Sequence, residues 1–149
     1  MAKDPQTPTH YRLVVGVDPK TPDGRSKAFR NGAGERLQGA MILDAKFKDQ
    51  TPSYILTFHA LELALKAFLA KNGLTNDQLR TKPYGHDLDS LYGEACKHGL
   101  SISIPNVAAT IEWINEYHDK GALLRYDFEK PRALPMCETL FPIVEAISD

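Results

Sequence analysis

Three polar side chains, His59, Glu62 and Lys66, interrupt the most apolar segment of the chain, residues 53–71. Their i, i+3, i+7 spacing places them within about 60° of one another on a helix, flanked by Ile55 and Leu69. An imidazole, a carboxylate and an ammonium on one stripe can move a proton or hold an anion. Buried without partners they would be strongly destabilising, so partners are expected among other polar residues that break an apolar pattern. Asp44 falls in the middle of the apolar face of an earlier helical pattern. His118 shares the apolar side of a later one with Ile111 and Ile114, near a helix C-terminus that favours the protonated ring. Arg125 and Tyr126 follow after a short loop. Two arrangements fit these residues. In one, Asp44, His59, Glu62, Lys66 and His118 form a buried polar network that fixes helix register. In the other, Lys66 and Arg125 meet an anionic group in a cleft while His59 or His118 handles protons. The network carries more weight, because ion pairs inside helical bundles often set register rather than catalyse.

Other signals are weaker. Cys96-Lys97-His98 is a single Cys/His pair with no second pair at metal-ligand spacing, so no metal site is expected. Gly32-Ala33-Gly34 reads as a small-residue turn, and neither a phosphate-binding loop nor a dinucleotide fingerprint occurs, so no cofactor is expected. There is no Gly-x-Ser-x-Gly. His86-Asp87 reads as a helix cap rather than a catalytic dyad.

The elements that must position these groups divide near residue 32. Residues 1–32 contain Pro5, Pro8, Pro19 and Pro22 and one strand-like run, Tyr11 to Val17, and read as an extended N-terminal arm. Residues 33–149 read as a helical-bundle domain. Leu37, Ala40, Met41 and Phe47 share one face of a first helix. The second is marked by Thr51 as N-cap, Pro52 at its first position and Gly73 as its stop. Ala60, Ala64 and Ala67, on the side opposite the polar stripe, would let a neighbour approach closely. A loop through Thr75, Asn76, Pro83 and Gly85 leads to a third helix, from His86–Asp87 to Gly99, with Leu88, Leu91, Tyr92 and Ala95 inward. A fourth opens at Ile104-Pro105, turns Val107, Ile111, Ile114 and Tyr117 to the core and ends at Gly121. The last begins near Leu134-Pro135 and carries Met136, Leu140, Ile143, Val144 and Ile147, with Pro142 expected to kink or split it. The fold class is all-α: an antiparallel bundle of four to five helices with an extended arm that contains one short strand.

Composition sets outer bounds. The chain has 149 residues, enough for one domain with a sizeable core. With 18 Lys+Arg against 19 Asp+Glu, a broad phosphate-tracking surface is not expected; an anion site would be built from a few placed cations, Lys66 and Arg125 first. No apolar run approaches the length of a membrane span and the N-terminus lacks the apolar core of a secretory signal. Two cysteines make no disulfide framework, so a cytoplasmic protein that makes no membrane contact is expected.

The segment from His59 through Glu62 and Lys66 to Leu69, then Gly73, then Gly85-His86-Asp87-Leu88-Asp89-Ser90-Leu91, then Arg125-Tyr126, resembles the HEPN family (higher eukaryotes and prokaryotes nucleotide-binding) over roughly residues 35–148. The resemblance implies a four- to five-helix bundle, usually a homodimer. Members are RNases of toxin–antitoxin, defence or RNA-processing systems, or non-catalytic nucleotide- or RNA-binding modules, or partners of a nucleotidyltransferase. Catalytic members carry an Arg followed by His after four to six residues, generally in the later helices. Here Arg125 has no His downstream and His118 precedes it. Arg80 and His86 have the spacing but fall in a loop, where a chance occurrence is expected. The resemblance thus implies a non-catalytic dimeric module for a nucleotide, an RNA end or a protein partner, with ligand-binding residues Glu62, Lys66, His86, Arg125 and Tyr126. A divergent metal-independent endoribonuclease using His59, His86 or His118 is the alternative. A structural protein-interaction domain that clasps its partner with the arm is the third.

Overall fold

The computed structural model describes residues 20–118 and 133–149. Among them the protein is an all-α bundle of six helices: α1 (Pro22–Lys46), α2 (Thr51–Lys71), α3 (Asn76–Arg80), α4 (Leu88–Lys97), α5 (Val107–His118) and α6 (Cys137–Ser148). Tyr11–Val17, Gly121, Arg125 and Tyr126 lie outside the described residues.

Helix α1 begins at Pro22, inside the segment that the proline count marked as an arm. Its start has a local cause. The Thr21 hydroxyl accepts a hydrogen bond from the Gly24 amide at 2.9 Å, Pro22 occupies the first turn, and Asp23 complements the dipole. Of the residues assigned to its apolar face, Ala40 is buried, whereas Met41 and Phe47 are nearly half exposed. The buried set is Gly24, Ser26, Ala33, Ala40 and Asp44, all small except the last.

Helix α2 is the centre of the molecule. Ala60, Leu61, Ala64, Leu65, Leu69 and Ala70 are at most 1% exposed. Its cap is Gln50 rather than Thr51, one residue earlier than expected and without a side-chain bond. Its C-terminus closes as expected at Gly73, with φ of 100°. The Gly73 amide donates to Ala70 and the Leu74 amide to Leu69, the reciprocal pattern that satisfies the last carbonyls. By length and composition α2 could cross a bilayer, but most of it is buried inside the bundle.

Helices α1 and α2 form an antiparallel hairpin with a fixed register. The Ser26 hydroxyl donates to the Ala67 carbonyl at 2.8 Å, Gly32 lies against Leu63, Arg36 meets His59, and Gly39 lies against Leu56. Small residues on α1 allow this approach: a Cβ at Gly32 would sit 3.1 Å from Leu63 Cδ1. The turn is tied to the start of α6, since the Asp49 carboxylate accepts from the Cys137 amide at 2.8 Å. Tyr54 Oη donates to the Pro135 carbonyl at 2.8 Å beside it.

Helix α3, in what read as a loop, is a single turn with a capping box, Thr75 and Gln78 bonding each other's backbone amides. Helix α4 is capped by Asp87 as expected; its carboxylate accepts from the Ser90 amide at 3.1 Å and from Asn115 Nδ2 at 3.0 Å. Leu88, Leu91 and Ala95 point inward, as do Val107, Ile111 and Ile114 of α5. In α6, Leu140, Ile143, Val144 and Ile147 are buried and Met136 is exposed. Pro142 lies within the helix without splitting it.

Candidate functional site

The Glu62 carboxylate is the hub of the buried polar residues. One turn on, the Lys66 ammonium donates to Oε1 at 2.9 Å. His86, on the loop before α4, brings Nδ1 to 2.8 Å from the same oxygen. His118, the last residue of α5, brings Nε2 to 2.9 Å from Oε2. Three elements therefore converge on one carboxylate. The Glu62 and Lys66 side chains are 2% and 9% exposed and His118 13%, whereas His86 is 68% exposed and forms the solvent side of the cluster. The two imidazole rings meet edge to face with centroids 6.1 Å apart. Phe58 packs its ring against His118, also at 6.1 Å.

Burial alone pushes the Glu62 carboxyl up, but hydrogen bonds from His118 and Lys66, and their charges, outweigh it and hold the group at about 2. The carboxylate is ionised at neutral pH and accepts only, so each imidazole presents an N–H to it.

His59 belongs beside this cluster rather than in it. Its Nδ1 accepts from Arg36 Nε at 2.8 Å, across the α1–α2 hairpin. Burial, and then the Arg36 charge, lower its pKa, favouring the neutral ring with its proton on Nε2. Arg36→Ala should therefore move the His59 titration upward in an NMR pH series. A His59 curve that does not change in this variant would contradict the pairing.

Asp44 does not join the network. The antiparallel register carries it to the far end of the hairpin, about 16 Å along α2 from Glu62 at 1.5 Å per residue. There its carboxylate accepts from the Asp49 amide at 2.9 Å and stabilises the α1–α2 turn. Cys137 is sealed in the same region against Thr57; burial pushes its thiol up to about 11, so it stays protonated.

Two cavities adjoin the cluster. One, of about 300 Å³, is lined by Arg25, Ala28, Phe29, Lys66, Asn76 and Arg80. No carboxylate is among these residues. Arg80 pairs with Asp77 at the surface, and Arg25 Nη1 donates to the Lys20 carbonyl. The buried Nε of Arg25 has no hydrogen-bond partner among the described residues. The second cavity, of about 610 Å³, is lined by Arg80, Lys82, Pro83, Tyr84, Gly85, His86 and Asp87. Arg25 and Arg80 escaped the sequence reading for different reasons. Arg25 lay in the supposed arm, and Arg80 had only its spacing to His86 to mark it.

Glu62, Lys66, His86 and His118 are thus brought together, His59 lies adjacent, Asp44 is remote, and Arg125 and Tyr126 lie outside the described residues. In comparison with known proteins, the chain matches no protein family, no curated protein and no solved structure.

Proposed function

We propose that the chain is a non-catalytic binding module for a phosphorylated ligand of the nucleotide class, a free nucleotide or an RNA end. The observation that carries this reading is the cavity bounded by Arg25, Lys66 and Arg80. Three cations and an amide (Asn76) suit a phosphate, and the Phe29 ring offers a face for a base. An anion there would also give Arg25 Nε the acceptor it lacks. Lys66 is oriented for this by Glu62, which leaves a three-donor ammonium with further bonds to make. The HEPN resemblance supports the same class, and adds a homodimer serving as an accessory component of a toxin–antitoxin or defence-type system.

The test is equilibrium binding of AMP, ATP and a 5′-phosphorylated RNA oligomer against adenosine. The phosphorylated ligands should bind and weaken with salt, and adenosine should not bind. Each charge-assisted bond lost should cost about tenfold in affinity, so Arg25→Ala/Arg80→Ala should weaken binding by about two orders of magnitude. Equal binding of adenosine and AMP, or binding indifferent to the double substitution, would refute the assignment.

One observation favours a second reading, a divergent metal-independent endoribonuclease. Arg80 and His86 line the same cavity, and His86 is anchored by Glu62. His86 would then take the proton of a ribose 2′-hydroxyl as that oxygen bonds to phosphorus, and pass it to the 5′-oxygen that leaves as the P–O5′ bond breaks, while Arg80 neutralised the phosphate. RNA cleavage abolished by His86→Ala in a folded protein would establish it; RNA bound without turnover would exclude it.

A further inference from the structure

We propose that Glu62, His86 and His118 form a site for a first-row divalent metal ion of the zinc class, bound through one carboxylate oxygen and two imidazole nitrogens. The three offer one ligand atom each, and these atoms lie within 4.8 Å of one another. Mixed nitrogen and oxygen donors suit zinc, cobalt and their neighbours better than calcium or magnesium. Three protein ligands leave a position for water, as in zinc sites that are not purely structural.

A structural ion pair would need only Lys66, which already neutralises Glu62 at 2.9 Å. The two imidazoles go beyond that need. They arrive from separate elements, 24 and 56 residues away in sequence, and direct a ring nitrogen at each oxygen of one ionised carboxylate. For the metal to bind, each ring turns a lone pair inward and carries its proton on the other nitrogen, a tautomer change with no net reaction. His86 can do this readily, because its side chain is 68% exposed. It also gives the ion a path from solvent to a carboxylate that is itself 2% exposed. Lys66 acts in the opposite direction. Its ammonium on Oε1 repels a dication and so limits affinity. That opposition gives the site a signature that no plain salt-bridge network shares.

The inference does not rest on the phosphate-binding reading, and its test is separate. Tag-free, chelator-treated protein is titrated with Co²⁺, followed by visible absorption, and then with Zn²⁺ in competition. One equivalent should bind with the d–d bands of nitrogen and oxygen ligation. His86→Ala, which alters an exposed side chain and leaves the fold intact, should weaken binding by about tenfold or more, as should His118→Ala. Lys66→Gln should tighten it by removing the competing charge. Absence of Co²⁺ uptake, or uptake indifferent to His86→Ala, meaning an adventitious ion only, overturns the proposal.

Discussion

Glu62→Ala should lower folding stability by about 3–5 kcal/mol, the range found when one partner of a buried ion pair is removed. The substitution leaves Lys66 and His118, both mostly buried, without their acceptor. Against a total of about 5–15 kcal/mol for a domain, that is a loss of about a fifth or more, and urea unfolding would read it directly. A loss below about 1 kcal/mol would mean that water reaches the carboxylate and that the cluster is not sealed. The same group predicts the acid limb of stability. Glu62 titrates at about 2 in the fold against an ordinary 4.5, so the unfolded chain takes up a proton first as pH falls. Its contribution is therefore complete above about pH 4.5 and disappears as pH drops through about 2. Glu62→Gln should flatten that part of the pH–stability curve.

Phe58→Ala should also be severe, by about 3–5 kcal/mol, because the side chain is fully buried and its removal leaves a cavity in the core. Its ring stands edge-on to His118 and 5.9 Å from the Tyr54 ring, so the loss removes a wall of the polar cluster as well as core volume. Thermal unfolding should report the first effect and broadening of the His118 imidazole resonances the second. Phe47→Ala is the control: that ring is 48% exposed, and its removal should change stability by no more than about 0.5 kcal/mol. Comparable losses at the two positions would contradict the packing described.

How much of this was legible in the sequence depended on the kind of residue that carries each contact. Helix α2 was clear because its apolar run is bounded by Pro52 and Gly73, and α4 because Asp87 precedes Leu88 and Leu91. Helix α1 was half hidden. It buries Gly24, Ser26 and Ala33 in its first half, and a face of small residues leaves no hydrophobic period to find. Thr21-Pro22-Asp23 was the available signal, the same Thr-Pro pairing that marks α2. Within the site, Glu62 and Lys66 were legible as an i, i+4 pair. Convergence of His118 on Glu62 was anticipated from its place on an apolar face. Arg36–His59 was not, because it depends on the register between two helices, which local spacing does not encode. Asp44 was placed with the wrong partners for the same reason.

The α1–α2 register also has a kinetic side. A four-residue turn joins the two longest helices, and the contacts from Gly39–Leu56 out to Ser26–Ala67 can close in sequence from that turn, like a zipper. Each step adds little loop-closure entropy to the one before. Docking α6 and bringing His118 to Glu62 both require much longer loops to close. The hairpin is thus suited to be an early folding unit, and the polar cluster a late one that reports whether the distant parts of the chain have arrived.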